Sequence, residues 1–194
     1  MEEEIAEIAK KLVEITSHSG FRYWKEEEFR KLVDFDNISQ TEQDRIFNEI
    51  ICSGLILAMM TLDDISSKNL ALERKIVLSR VRDAIPEGYT NTLKSLGVER
   101  KFVRIWKKLI DLRKNEYFKD LTLAKNETLA AEEFREYPEV KHVWARIETI
   151  AINTLHHIRR GKTSPKDPLW RSLRLWLISL EKDLSGLFAS WLAL

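Results

Sequence analysis

The chain predicts an all-α protein, a multi-helix bundle of about eight helices, and three observations carry that prediction. Its long segments repeat apolar residues at intervals of three and four, the spacing that lines one face of a helix. Gly and Pro together number only ten in 194 residues, so the elements are long and the turns few. No stretch alternates apolar and polar residues as a half-buried strand does, and no internal repeat is visible.

The first helix is marked by Ile5, Ile8, Leu12 and Ile15 on one stripe and is expected to stop at Gly20. A second covers roughly 23–35, with Lys25–Glu28 in its first turn, where the helix dipole favours the acidic side chains. Ser39 followed by Glu42 fits a capping box and starts a third helix running to about Leu62. Its second half is apolar all round, the mark of a helix at the centre of a bundle. A fourth helix, about 70–84, should end before Pro86, because the residue before a proline is pushed out of helical geometry. A short helix with its turn follows in Glu87–Val98, then a longer one over 99–118. Lys125–Thr128 reads as a break, and a helix is expected over 127–136. Pro138 can open the next, to about Arg160, since its missing N–H is harmless in a first turn. Gly161–Pro168 is the clearest loop, and the last helix starts near Leu169. The chain reads as one domain, 1–194; a composition break at Asp63–Asn69 marks where an acidic part, 1–64, meets a basic body, 65–194.

The net charge of +1 conceals that polarity. Residues 1–64 carry a net −8, residues 65–119 a net +8, and the rest is nearly balanced. A basic middle suits nucleic acid or an acidic protein surface. Abundant Glu, Lys and Arg beside only two glutamines is a thermophile-like composition. The lone Cys52 excludes an internal disulfide and a multi-cysteine zinc site, and fits a reducing, cytoplasmic setting. The acidic N-terminus has no apolar segment of the secretory kind, and the longest uncharged run, Ile50–Leu62, is 13 residues, short of the roughly 20 that cross a bilayer. No membrane partner is expected.

Thr92–Trp106 carries the leading functional expectation. Leu93 and Leu96 would pack from a first helix, Gly97 would make the turn, and Val98 would plug it. Val103 and Trp106 would anchor a second helix. The spacing is similar to the general helix-turn-helix pattern, although Leu93 stands where a small residue is usual and the second helix is long. The alternative is a plain corner with Phe102, Leu109 and Ile110 in the core. The outward positions are Glu99, Arg100, Lys101, Arg104, Lys107 and Lys108, five of them cations placed to reach bases or phosphates. Arg159, Arg160, Lys162 and Lys166 form a second candidate patch in the basic loop. Gly161–Ser164 ends like a phosphate-binding P-loop, but His156 stands where its first glycine belongs and no strand precedes it.

Catalytic chemistry has no comparable pattern. Glu139 and His142 sit at i, i+3, the spacing of carboxylate-bridged metal bundles, in one copy where two are needed. Asp63 and Asp64 read as a solvated loop rather than a metal pair, and Cys52 as a buried, inert thiol. The tryptophans read as core anchors; Trp170, beside Arg171, is the one placed to stack on a base. Trp176, Leu177, Leu180, Leu184, Leu187, Phe188, Trp191 and Leu192 make an apolar face broad enough to suggest a homodimer through the C-terminal helix. The expectation is therefore a protein without cofactor or metal, binding nucleic acid, with DNA favoured. The alternative is a helical scaffold or complex subunit acting through its acidic and basic faces.

Overall fold

The computed structural model describes residues 2–130, 138–164 and 166–192. Among these there are seven α-helices and no strand: α1 (Glu2–Lys25), α2 (Glu27–Leu32), α3 (Gln40–Ser66), α4 (Leu72–Ser95), α5 (Arg100–Ala130), α6 (Pro138–Ile158) and α7 (Pro168–Leu192). A 3₁₀ turn, Phe35–Asn37, leads into α3.

α3 is the axis. Fifteen of its residues are buried, and all of Glu49–Leu62 is inside. It is long and apolar enough to cross a membrane by length and composition, but 83% of its most apolar window is covered by the other helices. Around it stand α1, α4, α5, α6 and α7, each touching α3 and the next in that order, with α7 closing back on α1. The small α2 packs on α1 and α7. An all-round apolar helix needs this arrangement, because no single neighbour can cover more than one of its faces.

The second helix is Glu27–Leu32 rather than roughly 23–35, α3 runs past Leu62 to Ser66, and three further expected boundaries move for a tertiary reason. α1 runs through Gly20 to Lys25 because that glycine lets α1 lie close to α3: a Cβ there would sit 3.0 Å from Ile51 Cδ1. α4 continues through Pro86 to Ser95, so the two expected segments are one helix. Proline removes one helical hydrogen bond, and burial of Ile85 and Tyr89 on either side holds the helix together across it. The expected break at Lys125–Thr128 is helical through Ala130. The remainder of the helix expected over 127–136 lies outside the described residues. These fusions leave seven helices where about eight were expected.

The start of α3 follows its sequence signal. The Ser39 side chain accepts a hydrogen bond from the Glu42 N–H at 3.3 Å. The Glu42 carboxylate does not complete the box; it holds Arg45 and Arg160 instead.

Candidate interaction surface

The corner between α4 and α5 is closed by glycine chemistry. Gly97 has φ +78°, and Val98 N–H and Gly97 N–H donate to Leu93 O and Lys94 O, both at 3.0 Å. These are the two bonds of a Schellman cap, which ends α4 and reverses the chain. The helices it joins have 24 and 31 residues and run back along each other: Tyr89 meets Trp106 at 5.0 Å, and Asp83 meets Lys114 at 3.8 Å. This is a long antiparallel hairpin.

The apolar residues of the corner divide unevenly. Val103 and Ile110 are buried, and Leu93, Val98, Trp106 and Leu109 are partly so. Leu96, expected to pack, is 74% exposed, and Phe102, a core residue in the plain-corner reading, is 46% exposed. The reason is local. Leu96 sits in the cap itself, past the last helical turn, and Phe102 lies on the flank of α5 away from Val103 and Ile110.

α5 thus presents two stripes to solvent. One is cationic: Arg100, Lys101, Arg104, Lys107 and Lys108 are all exposed. Lys101 pairs with Glu99 at 2.9 Å and lies over the Phe102 ring at 4.8 Å. The other four make no ion pair among the described residues. The second stripe is apolar: Phe102, Ile105 and Leu112 at 46%, 57% and 58% exposure, with the half-buried Leu109 between them. α5 lies between α4 and α6 in the ring, whereas the acidic outer face of α1 lies on the far side of α4. The charge polarity of the sequence is therefore a separation of faces, and α1 does not neutralise α5.

The second basic patch is different. Arg159 is bound to Asp167 at 2.8 Å and donates to Leu32 O, and Arg160 is bound to Glu42 at 2.5 Å. These arginines close the α6–α7 loop onto α2 and α3. Lys162 and Lys166 stay exposed and make no ion pair among the described residues. Trp170 is not free to stack on a base: its Nε1 donates to Glu148 at 3.2 Å, and Arg174 lies between its ring and that of Trp144.

A polar seam between α3 and α6 escapes a linear reading. At one end Arg146, 2% exposed, sits 2.9 Å from Asp64 and 2.7 Å from Glu181, whose other oxygen accepts from Thr61 at 2.7 Å. Midway, Ser53 and Thr154 share a hydrogen bond of 2.6 Å. Further along, Arg113 grips Glu49 with two bonds of 2.8 and 2.6 Å and reaches Glu116, which contacts His157 at 3.0 Å. Burial holds the His157 pKa below the usual imidazole value. At the end, Arg45 donates to the carbonyls of His157 and Ile158. The signal was present as polar residues 49, 53, 61 and 64 at helical spacing in an otherwise apolar helix.

The seam's carboxylates are matched by arginines, which tie α3 to α5, α6 and α7. Asp63 and Asp64, expected in a solvated loop, belong to α3 and are bound by Arg82 at 2.5 Å and Arg146. His142 lies 3.9 Å from Asp64, and the Glu139 side chain lies outside the described residues. Among the described residues no three His, Cys, Asp or Glu side chains gather as a metal site would require.

The apolar face of α7 also finds its place inside. Trp176, Leu177, Leu180, Leu184 and Phe188 are buried in the bundle, and Leu187 and Trp191 pack partly against it. The side chain of Leu192 lies outside the described residues. The face that suggested a homodimer is covered by α1, α3 and α6 of the same chain, the three neighbours the ring gives α7. In comparisons with known proteins, the chain matches no protein family, no curated protein and no solved structure.

Proposed function

We propose that this protein is a non-catalytic docking subunit that holds an acidic protein partner on the outer face of α5. The observation that carries this reading is the row of exposed cations alongside the uncovered apolar stripe of Phe102, Ile105 and Leu112 on α5. A phosphate backbone needs cations and has no use for large apolar side chains. A protein interface combines an apolar centre with a charged rim.

Nucleic acid is the second reading, with DNA favoured. Its support is that Arg100, Arg104, Lys107 and Lys108 make no ion pair among the described residues and that the acidic α1 faces elsewhere. The two readings separate in one titration. Fluorescence anisotropy with a labelled peptide of Glu and Leu, polyglutamate, duplex DNA and single-stranded DNA across a salt series compares wild type with two double variants. Arg104→Ala/Lys108→Ala should weaken any anionic ligand. Phe102→Ser/Ile105→Ser should weaken the Glu/Leu peptide by about tenfold and leave polyglutamate and duplex DNA unchanged. Tight DNA binding that ignores the apolar pair, with polyglutamate left unbound, would replace the docking reading with nucleic-acid binding.

A further inference from the structure

Phe102, Ile105, Leu109 and Leu112 stand at i, i+3, i+7 and i+10 of α5, the spacing of a coiled-coil seam. Buried Val103 and Ile110 lie on a different face, so this row is a second apolar stripe beyond the one that seats α5 in the bundle. It occupies about 15 Å of helix. It also ends where the ring's cover begins: at Glu116 and Asp120 the same flank meets His157 and Asn153 of α6. α6 ends at Ile158, so the turns of α5 before Arg113 extend past it.

Resting on the docking reading above, we infer that this seam receives a single amphipathic helix from another protein, with apolar anchors at heptad spacing and carboxylates along one edge. The charges decide the occupant. Lys101 and Lys108 flank the seam seven residues apart, and both are exposed. In a heptad these are the positions that choose a partner by charge. A second copy pairing antiparallel through this seam would set these lysines against their own counterparts, and one pairing parallel would set them against Trp106 and the already bound Arg113, so neither orientation offers them a free carboxylate. A helix with Glu or Asp in the facing column meets them favourably. Exposed apolar residues at this spacing also match the anchors of helix-in-groove recognition.

The test uses the intact protein and two synthetic peptides of about 18 residues, roughly 27 Å of helix. Both carry Leu at the heptad apolar positions; one has Glu and the other Lys along the flanking columns. Circular dichroism reads the helicity gained on mixing, and sedimentation reads stoichiometry. The expected result is one-to-one binding of the Glu peptide with a gain of helix, and about tenfold weaker binding of the Lys peptide. Lys101→Glu/Lys108→Glu should reverse that preference, which a misfolded variant cannot do. Phe102→Ser/Ile105→Ser should lose both peptides. Equal binding of the two peptides, or binding without helix gain, overturns the helix inference. If polyglutamate still binds in that case, the broader docking reading survives; if polyglutamate also fails, both fall. A dimer of the protein alone that Phe102→Ser/Ile105→Ser dissociates would assign the seam to a second copy and overturn the inference.

Discussion

Glu42 shows how much one side chain can organise. It lies at the start of α3 with Arg45 and Arg160 hydrogen-bonded to it, and these hold its pKa at about 2, below the usual 4.5. A carboxylate with a depressed folded pKa adds stability above its unfolded value and loses it as pH falls through the folded one. Glu42→Gln should therefore cost about 1 kcal/mol at pH 7, discounted for partial exposure. The difference from wild type should shrink between pH 4.5 and about 2 in urea unfolding curves. A pH-independent difference would mean the pair contributes nothing. Arg146 is the deeper case. Arg146→Met leaves Asp64 and Glu181 with a shared buried cation removed, and loss of one partner from such a cluster costs about 3–5 kcal/mol. Replacing Arg146, Glu181 and Asp64 together by apolar residues should recover much of that loss, as read by chemical denaturation.

At the scale of the element, the α4–α5 hairpin is decided by its cap. Gly97 occupies a left-handed conformation, and a Cβ there would meet nothing within 4 Å. Gly97→Ala should thus cost only the backbone penalty, about 1 kcal/mol, with no steric addition. Thermal melts check the size: a loss of several kcal/mol would reveal contacts that open space does not supply. Arg160 adopts the same left-handed region at the end of α6. There the side chain is held by Glu42, so an arginine stands where a glycine would be the usual choice. Pro86 shows the limit of local signals. A proline ends an isolated helix, yet α4 passes through it because its buried face is anchored on both sides.

The whole molecule is a ring of five helices around an apolar axis, and this sets both its stability and its outward character. Cys52 sits on that axis, fully buried, and burial pushes its thiol pKa up. A thiol reagent should reach Cys52 only through global opening, so its labelling rate should follow denaturant stability throughout. Rapid labelling of the native protein would show that α3 opens locally. The same ring places acidic α1 and basic α5 on non-adjacent positions, so the two charged regions face different solvent directions.

The sequence by itself determined the helical class, the buried status of α3, the Ser39 cap, the turn at Gly97 and the exposure of the α5 cations. Each is local: a period, a cap residue or a charge that must meet water. Tertiary structure decided the rest. It ran α1 past Gly20 and α4 past Pro86, because burial of a helix face outweighs one breaker residue. It closed the α7 apolar face inside the bundle, bound Arg160 to the carboxylate of Glu42 and set Arg159 on the carbonyl of Leu32, both distant in sequence. It assembled the Arg146 and Arg113 clusters from three helices each, and it left Phe102, Ile105 and Leu112 uncovered. Which apolar stripe is covered depends on where the neighbouring helices end, and no local pattern carries that information.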